Sequence, residues 1–331
     1  MKPCIGNKNL IKEKMKTKIL AYIKLFRVPN LLIMAVIMYF FKYFLFDAAL
    51  GYENMEAPLS NLQFALFVLM FVFLAAGGYA LNDYYDIGMD EINRPEKTVL
   101  RNILPLNTGI NSFFILTTIG LAAGFIVAFN INNITLYFIP IFIAALYWFY
   151  STKYKREFLV GNFVVAFMAA LNVCLIYLYY IFAFINIGNL PVIMIPYMNK
   201  ITLIYSSFAF VITFIREIVK DICDEEGDKK FNCSSLPIKL GLKKTKNILI
   251  VISLFVAITL VYFGVYSFKL NKSYLFYYIW ILLVPFWIFI IINLFKAKEK
   301  KEMHDISSFL KIYMLAGIIS LQLLHMSNLW T

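Results

Sequence analysis

The stretch "FALFVLMFVFLAAGGYAL", Phe64 to Leu81, carries no charge along its whole length. An uninterrupted apolar run of about 18 residues or more is long enough to cross the hydrocarbon core of a bilayer as a helix. Comparable runs recur near residues 30–46, 63–86, 110–129, 134–150, 160–184, 201–220, 247–267, 274–295 and 308–328, which makes nine expected spans. A soluble domain of 331 residues that is 62% hydrophobic and 15% charged has no way to hide so much apolar surface. Within lipid every backbone N–H and C=O must be satisfied internally, which leaves helices or closed barrels. Barrel strands alternate in polarity over about ten residues, and these runs do not alternate. The expected fold is all-α and polytopic, with about nine transmembrane helices.

The charge balance then reads as topology. The formal net charge is +12, which in a soluble chain would suggest nucleic acid. Here the positive-inside rule accounts for it, with attraction to anionic headgroups as a second reason, so no nucleic-acid partner is expected. One set of loops holds the Lys-rich N-terminus, Arg94, Lys97 and Arg101, then Lys153, Lys155 and Arg156. The same set continues with Lys229 to Lys246 and ends in "KAKEKKE" near residue 298. The opposite set holds only Lys42, Lys200, Lys269 and Lys272. Nine spans then place the N-terminus in the cytoplasm and the C-terminus outside. Cys4, Cys174, Cys223 and Cys233 form no CxxC pair, and His304 and His325 stand alone, so neither a disulfide framework nor a zinc site is expected. The N-terminus lacks a short apolar core with a small-residue cleavage site, so no cleaved leader is expected. From Leu10 to Phe26 the apolar residues Leu10, Ile11, Met15, Ile19, Ile23 and Phe26 alternate with Lys12, Lys14, Lys16 and Lys18. That pattern suits a helix lying at the cytoplasmic interface, ended where Pro29 starts the first span. Residues 1–28 form this segment and residues 29–331 a single transmembrane domain.

The two longest polar segments follow apolar runs and are expected as loops. Each carries three carboxylates in the spacing D-x-x-D-x-x-x-D: Asp83, Asp86 and Asp90 in "NDYYDIGMD", Asp221, Asp224 and Asp228 in "KDICDEEGD". On a helix the positions i, i+3 and i+7 share one face. Three like charges on one face at a membrane boundary repel each other through poorly screened space. One such aspartate would be ordinary interfacial polarity. The pattern twice points to a cation held between two acidic faces. With so few His and Cys, the cation is hard, Mg²⁺ or Ca²⁺. Arg94, Arg216, Lys220 and Lys229 sit beside the acids, and Lys153 and Arg156 fall on the same side. Acids and bases together suit a metal-bridged diphosphate better than a bare ion.

These residues also carry a resemblance. "NDYYDIGMDEINRP" and "REIVKDICDEEGD" resemble the two aspartate-rich signatures of the UbiA superfamily of intramembrane prenyltransferases. "LFRVPN" before the first span and "YSTKYKREFLVGN" after the fourth fit as well, and the likeness covers essentially the whole chain. The resemblance implies helices packed around a central chamber. It implies a polyprenyl diphosphate bound through two Mg²⁺ ions on the aspartates, ionisation to an allylic carbocation, and attack by a lipophilic acceptor. Carried over, Asn82, Asp83, Asp86 and Asp90 form the first site, and Asp221, Asp224 and Asp228 the second. Lys153, Arg156 and Lys220 become diphosphate contacts. Arg94 matches the basic residue after the first signature, and Arg27 and Asn30 line the same chamber. Tyr84, Tyr85 and Tyr150 are placed to stabilise a carbocation by cation–π contact. No protein partner is implied beyond substrates and membrane lipids.

The second signature most resembles the digeranylgeranylglyceryl-phosphate synthase-like branch, whose acceptor is a glycerol-phosphate ether lipid. After "NRP" the chain departs from that branch and reads "EKTVLRNILP", a segment that bears on the acceptor. An aromatic quinone precursor is the alternative acceptor. A glycerol phosphate needs basic residues beyond those on the diphosphate, for which Arg216 and Lys229 are available. A transporter is the other class, but transporters bind near the midplane on broken helices, and these clusters lie at helix ends.

Overall fold

In the computed structural model, described for residues 5–326, the chain is almost entirely helical, its helices joined by short connections. Residues 1–4 and 327–331 of the expected terminal segments lie outside the described residues, as do the side chains of 5–14, and with them Leu10, Ile11, Lys12 and Lys14 of the amphipathic pattern. A first helix, α1 (Ile5–Leu25), precedes the spans. Among the described residues nine helices are long and apolar enough to cross a membrane: α2 (Val28–Tyr52), α3 (Asn61–Asn93), α4 (Asn107–Ile131), α5 (Thr135–Thr152), α6 (Val160–Ile187), α7 (Ile195–Lys230), α8 (Leu236–Lys269), α9 (Ser273–Lys296) and α10 (Lys300–Met326). Each overlaps one expected span.

Local chemistry sets the helix starts. Pro29, Pro196 and Pro237 each occupy a first helical turn, where the missing N–H costs nothing. Ser60 caps α3 reciprocally with Gln63: the Gln63 amide donates to Ser60 Oγ at 3.2 Å and the Ser60 amide to Gln63 Oε1 at 2.8 Å. Inside α8, Gly241 adopts φ 77° and ψ 160°, separating a first turn at the membrane boundary from the span. That conformation is open to glycine and strained for other residues.

Two apolar clusters organise the bundle. One joins α2–α6 with the first turns of α7 and the end of α10 and includes Phe41, Phe67, Tyr179 and Tyr180; the other joins α7 to α10 around Trp287, whose indole donates to the Ser253 carbonyl at 2.8 Å. The outward faces stay apolar, with Phe129, Phe138, Phe255, Ile258 and Phe295 all exposed, as a lipid-facing surface requires.

α1 lies against the end of α3. Ala21 and Leu25 are buried with Ile87, Val99, Leu100 and Leu104, while Met15, Ile19, Tyr22 and Ile23 form an exposed apolar stripe. The "EKTVLRNILP" segment therefore packs under α1, and its Thr98, Val99 and Leu100 reach the chamber.

Two expectations are corrected here. The carboxylate segments are not loops: α3 and α7 continue through them to Asn93 and Lys230, because no proline intervenes before Pro95 and Pro237. Lys42, read as a loop charge on the far side, is buried inside α2. There a π-turn over Lys42–Asp47 brings its Nζ to Asp47 Oδ2 at 2.5 Å, and Tyr180 donates to Asp47 Oδ1 at 3.1 Å.

Candidate active site

A chamber of about 1210 Å³ runs between the two clusters of helices. Asp83, Asp90, Asp221, Asp224 and Asp228 line one end, and Lys200, Tyr266 and Lys272 the other. About 30 Å of α7 separates Asp221 from Lys200. Between them the wall is apolar, with Phe208, Ile212, Leu260 and Phe263 facing in.

The helical extensions of α3 and α7 bring the two acidic faces together. Arg27 Nη2 contacts Asp83 Oδ1 at 2.8 Å, and Lys155 Nζ pairs with Asp86. Arg94 Nη2 spans both oxygens of Asp224 at 2.6 and 2.8 Å. Asn162 donates to Asp221 at 2.8 Å, and Asn82 donates to Asp86 at 2.5 Å. Asp90 and Asp228 make no ion pair among the described residues and line the chamber beside these groups. Asp86 lies behind Asn82 and Lys155, only 3% exposed.

Arg27 joins α1 to α2 in a left-handed conformation, φ 50°. For a non-glycine residue this costs about 1–2 kcal/mol. The strain is offset by the Asp83 pair and by the Tyr79 ring, 4.8 Å away, and it aims the guanidinium into the chamber. Burial alone would lower the pKa of Lys155, but the Asp86 carboxylate and Tyr150 outweigh it, raising Lys155 above the ordinary lysine range. Arg27 is also raised, because Asp83 more than offsets its burial. Both cations are therefore fixed in the charged state.

Asn93 and Gly227 close the tips of the two acidic helices. Asn93 Nδ2 donates to the Asp224 carbonyl at 3.0 Å, and the Gly227 amide donates to Asn93 Oδ1 at 2.8 Å. A Cβ on Gly227 would stand on the Asn93 amide group. Asn93→Ala removes both bonds. A loss of about 2 kcal/mol is expected in thermal unfolding of the detergent-solubilised protein, and an unchanged unfolding temperature would show that this clamp does not hold the helices.

All-oxygen donors from six aspartates suit a hard divalent ion. Asn82 Oδ1 adds a buried acceptor that has no hydrogen-bond partner. As the side chains stand, no three carboxylates converge among the described residues, because Arg27, Lys155 and Arg94 occupy them. The residues fit Mg²⁺ provided these cations give up their carboxylates.

The UbiA prenyltransferase family profile matches residues 31–315. This chain belongs to the UbiA prenyltransferase family. It is a prenyltransferase and an integral, multi-pass membrane protein. It is 33% identical over 227 residues to digeranylgeranylglyceryl phosphate synthase of Sulfolobus acidocaldarius, across 68% of this chain and 71% of that protein. A solved structure of digeranylgeranylglyceryl phosphate synthase in membranes matches at a TM-score of 0.57 and 26% identity, over 94% of this chain and 98% of that one. A UbiA homolog from Archaeoglobus fulgidus bound to GPP and Mg²⁺ shares the fold at a TM-score of 0.52 and 15% identity, over 91% and 99% of the two chains.

In this UbiA prenyltransferase most of the residues expected from sequence line one chamber: Arg27, Asn30, Asn82, Arg94, Lys220 and all the aspartates except the shielded Asp86. Lys153 and Arg156 do not. Residues Tyr154–Arg156 form one 3-10 turn, which points Lys155 inward and leaves its two basic neighbours exposed, Lys153 against Glu157 at 3.7 Å. Lys229 is exposed as well. Arg94 is bound to Asp224, and Lys220 to Glu217 at 2.5 Å. Tyr79, Tyr147 and Tyr150 line the chamber, whereas Tyr84 and Tyr85 pack on each other outside it. Sequence reasoning missed Lys155, Asn162, Asn93 and Glu217. All four lie inside or beside the family-like motifs, so the signal was proximity to a motif rather than residue type.

Proposed function

We propose that this UbiA prenyltransferase transfers a polyprenyl group from a polyprenyl diphosphate to a prenylated glycerol phosphate, geranylgeranylglyceryl phosphate or a close analogue, with Mg²⁺ as cofactor. The observation that carries this reading is the gathering of five aspartates and their neighbouring cations at one end of a long apolar chamber. The relatives named digeranylgeranylglyceryl phosphate synthase support the acceptor class, and the GPP- and Mg²⁺-bound homolog supports the donor and the metal.

In this reading Asp83, Asp86, Asp90, Asp221, Asp224, Asp228 and Asn82 would hold two Mg²⁺ ions. The metal supplies charge neutralisation on the departing diphosphate. Arg27, Arg94 and Lys155 then exchange carboxylate for phosphate oxygens and stabilise the negative charge as the C1–O bond breaks. The prenyl tail lies along the apolar wall toward Lys200. Tyr147 and Tyr150 line the same chamber, where an aromatic ring face would stabilise the allylic cation. The enclosing helices keep water from C1. The Lys- and Arg-rich loops beside this end of the chamber support a cytoplasmic orientation for it.

The test is a transfer assay on purified protein with labelled geranylgeranyl diphosphate, offering geranylgeranylglyceryl phosphate and 4-hydroxybenzoate separately. Product is expected with the phosphate lipid, abolished by chelation and restored by Mg²⁺. Product with 4-hydroxybenzoate alone would replace the acceptor, and full turnover in excess chelator would remove the metal.

A further inference from the structure

One turn deeper than the acidic rim, the chamber changes sign. The rim sets the five chamber-lining carboxylates, Asp83, Asp90, Asp221, Asp224 and Asp228, against Arg27, Arg94 and Lys155. The deeper belt sets Arg216, Lys220 and Lys311 against Glu217. One ligand with one charged group does not require both zones.

The belt has a definite geometry. Tyr205 and Ser320 share a hydrogen bond of 2.6 Å, and Thr213 Oγ1 meets Met314 Sδ at 3.8 Å. These two contacts fix α7 and α10 in antiparallel register, and one further turn brings Arg216 level with Lys311. Lys311 Nζ lies 3.4 Å from Asn30 Oδ1 on α2, three residues beyond Arg27. Glu217 binds Arg216 Nη1 at 3.0 Å and Lys220 at 2.5 Å, holding both cations in place. Its single carboxylate cannot neutralise the belt. Arg216 lines the chamber, and its buried Nε has no hydrogen-bond partner among the described residues. A buried cationic donor left unmatched in this way is suited to an anion with several acceptor oxygens.

We propose that Arg216 and Lys311, backed by Glu217, bind the phosphate of the acceptor lipid, separately from the donor diphosphate at the aspartates. This rests on the proposed phosphate-bearing acceptor and assigns its headgroup a place. Two anions held in adjacent zones of opposite net charge would keep the acceptor hydroxyl beside C1 while the two phosphate groups avoid each other.

The experiment compares steady-state kinetics of wild type, Arg216→Gln and Lys311→Gln with geranylgeranylglyceryl phosphate and with the same lipid lacking its phosphate. Each substitution should raise KM for the phosphate lipid by about tenfold or more. KM for geranylgeranyl diphosphate should stay within about twofold, and use of the dephosphorylated lipid should not change. A rise confined to the donor KM would reassign Arg216 to the diphosphate and overturn the proposal. So would an unchanged acceptor KM in both variants. Lys311→Gln leaves the Glu217 ion pairs intact and decides the matter if Arg216→Gln does not accumulate. If wild type transfers to neither glycerol lipid, the acceptor reading itself fails; transfer with unaltered acceptor KM in the variants overturns only the phosphate site.

Discussion

Asp221→Asn is expected to lower prenyl transfer by about a thousandfold while leaving a folded protein in the membrane. Asparagine keeps the side-chain shape and one oxygen to accept the 2.8 Å hydrogen bond from Asn162. What it removes is a carboxylate from the end of the chamber that Asp221 shares with Asp83 and Asp90. If the two acidic helices share the metal-bound diphosphate, one missing ligand leaves the leaving group under-neutralised as it departs. Initial rates at saturating donor and Mg²⁺, with thermal unfolding as the control for folding, measure this. Retention of more than about a tenth of the wild-type rate would exclude Asp221 from the metal set.

Lys155→Met should be damaging in two ways. Lys155 pairs with Asp86, whose side chain is only 3% exposed. Removing one partner of a buried pair leaves an uncompensated charge and costs about 3 kcal/mol. In the proposed reading Lys155 also turns to the leaving diphosphate, so transfer should fall by about a hundredfold. Lys153→Met provides the contrast. Its side chain is 68% exposed and its pair with Glu157 is 3.7 Å long, so stability should change by less than about 0.5 kcal/mol. Equal losses in the two variants would show that general positive charge, not the inward direction of one lysine, is what matters.

That contrast also shows what could be read from the residues alone. The nine spans were legible because hydrocarbon thickness imposes a length and polarity that composition cannot disguise. The acidic faces were legible because i, i+3 and i+7 is a helical spacing and recurs twice. The selection within "KYKR" was not legible, because a 3-10 turn of three residues decides which side chain faces inward. The continuation of α3 and α7 past the lipid was hidden because acidic, polar sequence resembles a loop whether or not its backbone stays helical. Glu217 was passed over beside Arg216, since nothing in an R-E dipeptide announces that the acid organises two cations.

The π-turn in α2 has a consequence for how the chain enters the membrane. A lysine or an aspartate near the centre of a nascent helix costs about 2.5–3.5 kcal/mol at the insertion step. Lys42 and Asp47 would both incur that cost before α3 and α6 have been synthesised to enclose them. Their 2.5 Å contact closes within a single helix, since the π geometry brings i and i+5 together. The first span can thus leave the translocon already neutral, with Tyr180 joining the pair only when α6 arrives.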